Sequence, residues 1–190
     1  MIFAECALSL IDRTEANLKR IEELQSAFVV PVLNEWRYAI RHVVTTAGNG
    51  GDAETNKAMG HLKRAYFDSC DIVIDCQLNV IAAVQGKCLG YRKAVLEVAP
   101  DYAKWMETAR RAQKAHRAAQ LKHGEEREAA FDSLSVTIGE LDAVMDALAS
   151  LSEEIASAVR WARFRFWLGA VGSIAAIVSA IAAVVAIFLR

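Results

Sequence analysis

The sequence predicts an all-α protein: an elongated helical bundle whose long C-terminal helix continues into a single transmembrane span. Helix breakers are scarce, with two prolines and ten glycines in 190 residues, and 54% of the residues are hydrophobic, a high share for a soluble domain. Residues 166–189 carry no charge. At a rise of about 1.5 Å per residue, a helix of that length crosses a hydrocarbon core of about 30 Å.

The first half of the chain divides into helices at its turn residues. Apolar residues recur at helical spacing from Leu8 to Leu24, and the pattern stops before Pro31, which lacks an N–H and therefore ends or kinks a helix. A second helix ends in "TTAGNGGDA", where glycines can adopt positive φ and Asp52 can cap the next helix. These glycines are Gly48, Gly50 and Gly51.

A third helix is expected from about residue 53 to residue 98, disturbed near Gly86 and Gly90, until Pro100 stops it and Asp101 caps a fourth. The fourth segment is dense in basic residues. We interpret them as a solvated helix face, with a phosphate-binding groove as the alternative. They are Arg110, Arg111, Lys114, Arg117 and Lys122.

A heptad pattern follows the basic segment. Its apolar positions are Leu134, Ile138, Leu141, Met145, Leu148, Ile155 and Val159. The pattern is interrupted only at Ser152 and indicates either a coiled-coil-like stalk or a further bundle helix. We therefore divide the chain into a helical bundle (1–130), a heptad-patterned stalk helix (131–162) and a transmembrane helix (163–190).

The flanks of the uncharged run predict its orientation. Three arginines and two tryptophans lie at its amino-terminal end, whereas only Arg190 follows it. Because basic residues stay on the cytoplasmic side and tryptophans favour the membrane interface, we expect the bundle in the cytoplasm. The interface residues are Arg160, Trp161, Arg163, Arg165 and Trp167.

Small residues recur within the run at steps of four and three, so they share one face of the helix. They are Gly172, Ala176, Ser179, Ala183 and Ala186. In lipid, such a face permits close approach of helices, and in a ring it leaves room for a lumen. An alanine-rich anchor without a special face is the alternative.

A polar hairpin is predicted around the glycine-rich turn. Folding the chain back there places residue 42 near residue 58 and residue 35 near residue 65, so Glu35 should reach Arg64 or His61. We interpret the polar residues of both helices as a buried network that fixes the register of the hairpin. They are Glu35, Tyr38, His42, His61, Arg64 and Asp68.

The same region supports a catalytic alternative. Arg37 and His42 form an R-x4-H motif, which resembles the signature of HEPN ribonucleases. The resemblance implies that the His assists proton transfer at the ribose 2′-OH and that the Arg stabilises phosphate charge. Arg111 and His116 repeat this spacing. In a chain with so many arginines about one such match is expected by chance, so we assign no catalytic residue and keep both pairs as the alternative.

The sequence gives little support for a nucleic-acid, metal or cofactor site. The net charge of −1 provides no overall attraction to nucleic acid, which leaves direct RNA binding open. The four cysteines form no CxxC pair and have no His at zinc-ligand spacing, so we expect neither metal nor cofactor and interpret them as small core residues in a reducing cytoplasm. They are Cys6, Cys70, Cys76 and Cys88.

A helical bundle with an R-x4-H motif and one membrane span resembles the small membrane-anchored HEPN-like accessory proteins of type VI-B CRISPR loci. The elements "ExRxAxxH" at 35–42 and "HLKRAxxD" at 61–68 are similar to the paired helices of HEPN bundles in bacterial defence proteins. The resemblance implies a homo-oligomeric membrane pore that supports antiphage defence, with an RNA-guided nuclease or another protein as partner.

Three functions follow as hypotheses. The favoured one is a non-enzymatic effector of the bacterial inner membrane, whose helical domain oligomerises and brings several spans together in the lipid bilayer. The second is a membrane-tethered, metal-independent HEPN ribonuclease. The third is a tail-anchored scaffold without an activity of its own.

Overall fold

The computed structural model describes residues 2–25, 29–49 and 51–188, and within these ranges the protein is all-α, as predicted, with seven helices and no strand. The helices are α1 (Ile2–Gln25), α2 (Val30–Asn49), α3 (Asp52–Cys88), α4 (Arg92–Val98), α5 (Tyr102–Gln120), α6 (Gly124–Ser150) and α7 (Ser152–Phe188).

The helices form two compact units. The bundle unit comprises Met1–Ala82 and Met106–Asp146, and the terminal unit comprises Ala83–Trp105 and Ala147–Arg190. These boundaries differ from the division into bundle, stalk and span. Residues 131–146 belong to the bundle unit because α6 turns Phe131, Leu134, Ile138 and Leu141 into its core. For this half of the heptad pattern, a bundle helix describes the structure and a separate stalk does not.

The central element of the bundle unit is α3. Its buried residues recur at steps of three and four from Ala58 to Ile81, which is one face of a 3.6-residue helix. The buried residues are Ala58, Leu62, Ala65, Tyr66, Phe67, Ser69, Cys70, Val73, Ile74, Cys76, Gln77 and Ile81. Burying one large apolar side chain contributes about 1.5–3 kcal/mol, so this face supplies a major part of the stability.

Buried polar groups on α3 are bonded to neighbouring helices. Asn17 of α1 donates from Nδ2 to Ser69 Oγ at 3.0 Å, and Gln77 donates from Nε2 to Asp142 at 2.6 Å and to the carbonyl of Ile138 at 3.2 Å. Because an unpaired polar group in a core is costly, these bonds fix how α1 and α6 align on α3.

Three of the four cysteines lie in the core, as predicted. Cys70, Cys76 and Cys88 are buried and all four thiols are free, whereas Cys6 is exposed, so the core prediction was wrong for Cys6. Burial raises the pKa of the Cys70 thiol to about 11, against hydrogen bonds from Tyr66 and Asn17 that lower it. Cys70 is therefore an inert thiol at neutral pH.

Only some of the turns lie where the glycines and prolines predict them. Gly90 adopts φ 83° between α3 and α4, near the predicted disturbance, and Pro31 lies in the first turn of α2, where its missing N–H is tolerated. The prediction for the hairpin glycines was wrong at two positions, since Gly48 lies within α2 and Gly51 does not adopt positive φ. Gly50 lies outside the described residues.

Two breaks were not foreseen. The chain turns at Gly124, with φ 56°, and this separates α5 from α6 within the segment predicted as one helix. A second break at Leu151 separates α6 from α7. The heptad residues before the break lie on α6, whereas Ile155 and Val159 lie on α7, which runs unbroken into the apolar run as the sequence predicts.

The core position of α6 predicts a sharp contrast between two close residues. Leu134 is 1% exposed and Val136 is 68% exposed. Leu134→Ala should lower the free energy of unfolding by about 2–5 kcal/mol, whereas Val136→Ala should change it by less than about 0.5 kcal/mol. Urea unfolding of the full chain in detergent, followed by circular dichroism, measures both, and equal effects would contradict this core.

Candidate functional site

The polar hairpin pairs α2 with α3 as the sequence predicts. Arg64 Nε donates to Glu35 Oε2 at 3.0 Å, and His61 Nδ1 lies 2.7 Å from the same oxygen. A terminal nitrogen of Arg64 also lies 2.7 Å from His61 Nδ1. His61 Nδ1 can donate to Glu35 or accept from Arg64, but not both at once. The tautomer of His61 therefore decides which of the two hydrogen bonds forms.

The rings of the hairpin stack on one another. His61 lies between Tyr38, at a ring-centroid distance of 5.4 Å, and His42, at 5.2 Å with nearly parallel planes. His42 Nδ1 is 2.6 Å from Glu54 Oε2, and Lys57 Nζ donates to Glu54 Oε1 at 2.6 Å. Sequence reasoning missed Glu54 and Lys57, although Glu54 lies one helical turn before the residue expected opposite His42.

The network is partly exposed, not buried as expected. The side chains of Glu35, His42, Glu54 and His61 are 18–23% exposed and that of Arg64 is 53% exposed. Water therefore screens the ion pairs, and each is worth about 1 kcal/mol or less, compared with several for a fully buried pair. The hairpin is held in register by these bonds, and its polar edges remain accessible to solvent.

The hydrogen-bond partners of the hairpin carboxylates lower the pKa values of Glu35 and Glu54. Desolvation alone raises the pKa of Glu35, but the hydrogen bonds and charges of His61 and Arg64 outweigh it and hold that pKa below its usual value. Hydrogen bonds from Lys57 and His42 likewise lower the pKa of Glu54. Both groups are thus held as carboxylates at neutral pH.

Asp68, assigned to the network from the sequence, is in a different environment. Burial raises its pKa, and repulsion from Glu35 and Asp71 adds to the shift against attraction from Arg127 and Arg64. Its charged form is therefore disfavoured, and it does not stabilise the hairpin as the other carboxylates do.

The two R-x4-H pairs do not form joint sites within the chain. The guanidinium of Arg37 lies over the ring of Tyr38, 5.2 Å from its centroid, while His42 is bonded to Glu54. Arg111 donates to Glu140 at 3.0 Å. In each pair the Arg and the His are bonded to different partners.

His116 of the second pair is enclosed. It is 3% exposed, its Nε2 lies 2.6 Å from Asp71 Oδ1, and its Nδ1 lies 3.6 Å from Asp75 Oδ1. Gln120 also donates to Asp71. No local spacing signals this cluster, because it joins α5 to α3 across 45 residues. A His so enclosed is placed to hold helices together, and a phosphodiester cannot reach it without movement of α3 or α5.

The basic side chains of α5 are exposed, as the solvated-face interpretation predicts. Arg110 pairs with Glu107 at 3.6 Å within the helix, and Lys122, just beyond it, pairs with Glu126 at 3.0 Å. Acidic neighbours thus offset part of the positive charge along this segment, which leaves a weaker field for phosphates than the basic residues alone suggest.

The second candidate site is α7. It is the one described helix that is long and apolar enough by itself to cross a membrane, and no residue of its most apolar stretch is buried within the described chain. Taken together as a broken span, α3 and α4 also pass this test of length and composition, but α3 is the buried centre of the bundle unit. The predicted interface residues, from Arg160 to Trp167, are all exposed.

The small-residue face of α7 is open as far as the structure describes side chains. Gly172, Ala176 and Ser179 are exposed, and a Cβ added at Gly172 would meet no atom within 4 Å. The side chains of Ala183 and Ala186 lie outside the described part. Within one chain, this face therefore has no packing partner among the described residues.

Across the described residues, no cluster of three or more His, Cys, Asp or Glu side chains could hold a metal ion. No model of a protein family, no curated protein and no solved structure matches the chain. The class that the fold itself defines is an all-α protein with one terminal helix long and apolar enough to span a membrane.

Replacing Glu35 should destabilise the fold, whereas replacing Asp68 should not. Glu35→Gln weakens two hydrogen bonds and should lower the free energy of unfolding at pH 7 by about 1 kcal/mol. Asp68→Asn removes a repelled carboxylate and should leave this energy unchanged or raise it. Urea unfolding of both variants measures the difference.

The same variants should differ in their pH profiles. Since the pKa of Glu35 is lowered on folding, its contribution is complete above the ordinary value of 4.5 and is lost as the pH falls through the folded pKa. Asp68, with a raised pKa, opposes folding until it is protonated. From about pH 6 to pH 3, Glu35→Gln should therefore lose less stability than the wild type, and Asp68→Asn should lose more. Reversed slopes would contradict the assigned environments.

Proposed function

We propose that the protein is a membrane effector of the bacterial inner membrane: α7 inserts into the bilayer, and the helical domain brings several copies of α7 together so that the assembly perturbs or opens the membrane. The observation that supports this proposal is the exposed apolar surface of α7. The large side chains along it are more than half exposed. They are Phe166, Trp167, Leu168, Val171, Ile174, Ile177, Val178 and Ile181.

Such a surface favours lipid over water. Contiguous apolar patches larger than a few hundred Å² are rare on soluble monomers, and a helix meets the requirement that all backbone polar groups be bonded within the membrane. Each large side chain moved from water to hydrocarbon contributes about 1.5–3 kcal/mol. The sum over this surface is large enough to drive insertion.

The basic flank supports the proposed sidedness. Arg160, Arg163 and Arg165 are exposed immediately before the uncharged run. Basic residues near the end of a span are retained in the cytoplasm, and aromatic residues such as Trp161 and Trp167 settle at the headgroup level. The bundle unit would then lie on the cytoplasmic side.

Two exposed surfaces support a homo-oligomer. The small residues of α7 allow close packing in lipid, or border a lumen when several copies meet. On α2, four aliphatic side chains are exposed on one face, interleaved with Arg37 and Arg41. These side chains are Val30, Leu33, Ile40 and Val44. A second copy of the chain is the partner we propose for both surfaces.

The resemblance to HEPN-like accessory proteins of type VI-B CRISPR loci supports a role in antiphage defence. It rests on the combination of a helical bundle, an R-x4-H motif and a terminal apolar helix. Under this proposal an RNA-guided nuclease or another defence protein supplies the trigger, and R-x4-H residues persist in structural roles.

The second candidate is a tethered HEPN ribonuclease. The stacked rings of Tyr38, His61 and His42 favour it, because they hold two imidazoles on a partly exposed surface. The guanidinium of Arg64 lies against His61, and that of Arg37 lies over Tyr38 at the edge of the stack. Such groups suffice for metal-independent proton transfer and phosphate stabilisation. A dimer across α2 would bring two copies of the motif together.

Assembly through α7 should depend on Gly172. Leucine at this position blocks close helix approach, so Gly172→Leu should weaken association by roughly an order of magnitude. Val171→Leu, on a neighbouring face, is the matched control and should leave association unchanged. Mass photometry in detergent measures oligomer size, and dye release from liposomes measures permeability. A ring of many subunits supports the effector, a dimer the nuclease and a monomer a scaffold.

Histidine variants distinguish the ribonuclease from the membrane effector. We expect the full chain to show no RNA cleavage in EDTA, so His42→Ala has no activity to remove. His116→Ala should remove the shorter of the two hydrogen bonds to Asp71, leaving only that from Gln120, and lower stability by about 1–3 kcal/mol. Metal-independent cleavage lost on His42→Ala at an unchanged melting temperature would instead establish the ribonuclease.

A further inference from the structure

The terminal unit contains a groove of about 910 Å³ between α4 and α7. Its lining combines aromatic and small apolar side chains with four charged ones. The charged residues are Lys93, Glu97, Glu154 and Arg165, and the principal aromatic residues are Tyr91, Trp161 and Phe166. Phe166 opens the uncharged run, so the groove ends where α7 would enter the bilayer.

The charges are separated along the groove. The guanidinium of Arg163 lies 6.0 Å from the ring centroid of Tyr91, so the start of α4 is beside the basic part of α7. Glu154 precedes Arg165 by eleven residues, which is about 16 Å along the helix. Lys93, two residues after Tyr91, and Arg165 therefore lie toward the membrane end of the groove, and Glu154 lies about three helical turns from it.

Among the residues that the structure describes, none forms a salt bridge with the basic side chains at that end. Salt bridges join thirteen pairs of described residues, and none of them includes Lys93, Arg160, Arg163 or Arg165. The groove thus presents unpaired cations above an apolar floor formed by Trp161, Ala162 and Phe166.

We propose that this groove binds the headgroup of an anionic phospholipid from the leaflet that α7 enters. Arg165 and Lys93 would bind the phosphate, since a guanidinium matches phosphate oxygens in bidentate geometry and an ammonium adds a point charge. Trp161 and Phe166 would pack against the glycerol backbone and the first acyl carbons, the depth that aromatic side chains favour. Basic pockets beside membrane helices bind anionic headgroups in this way.

This inference rests on the proposed membrane insertion of α7, and it makes a more specific claim. General attraction to an anionic membrane depends on the number of basic residues near the surface, wherever they point. Binding in the groove depends instead on whether a given basic residue lines the groove. Arg165 lines the groove, whereas Arg160 lies on the same helix, outside it.

The test titrates the full chain in a zwitterionic detergent with short-chain phosphatidylglycerol, with phosphatidylcholine, and with inorganic phosphate, and detects bound lipid by native mass spectrometry. We expect phosphatidylglycerol to bind and phosphatidylcholine and phosphate to bind at least tenfold more weakly. Arg165→Gln should weaken phosphatidylglycerol binding by about fivefold, and the charge-matched control Arg160→Gln should leave it unchanged.

Equal binding of the two lipids, or equal losses for the two arginine variants, would overturn the groove site. Carbonate extraction of the same proteins from vesicles of phosphatidylglycerol and phosphatidylcholine separates this failure from failure of the proposed function. A chain that resists extraction yet shows no lipid preference refutes the groove alone, whereas a chain released by carbonate refutes insertion itself.

Discussion

The burial of α3 is the constraint on which the bundle unit depends. One helix contacts all four neighbours of that unit, and a polar bond accompanies each apolar contact. Asn17 of α1 bonds Ser69, Glu35 of α2 pairs with His61, His116 of α5 pairs with Asp71, and Gln77 bonds the carbonyl of Ile138 on α6. Apolar burial supplies most of the stabilisation, and the polar bonds select one alignment, since a shift of a helix by one turn would leave several buried groups unpaired.

The two histidine clusters show how burial separates structural from chemical roles. His116 and the hairpin histidines have the same kind of partner, a carboxylate at 2.6–2.7 Å. His116 is closed off by α3 and α5, so its bond holds two helices together. The hairpin histidines retain contact with solvent, and Arg64 lies beside His61, which leaves that surface open to a ligand or to a second chain.

The terminal unit differs from the bundle unit in how much of its apolar helix surface is covered. In the bundle, the apolar face of α3 is covered by neighbouring helices, whereas the apolar surface of α7 has no cover from the described chain. The same free energy that closes the core therefore favours lipid or another α7 as the partner of this helix. Where α4 packs on α7, the chain changes from charged to uncharged, and a groove with unpaired cations lies at that boundary.

The sequence by itself determined the helical class, the apolar helix and the pairing of Glu35 with His61 and Arg64. These features depend on composition, length and the geometry of two helices joined by a short turn, which are local properties. Only the tertiary structure decided that His116 pairs with Asp71, that three of the seven heptad residues face the bundle core, and that Cys6 is exposed. Such contacts join residues far apart in sequence, and helical spacing indicates which residues share a face without indicating what that face meets. The breaks at Gly124 and Leu151 escaped prediction because the flanking residues favour helix. At Gly124 the chain turns through a positive φ that glycine permits but does not require.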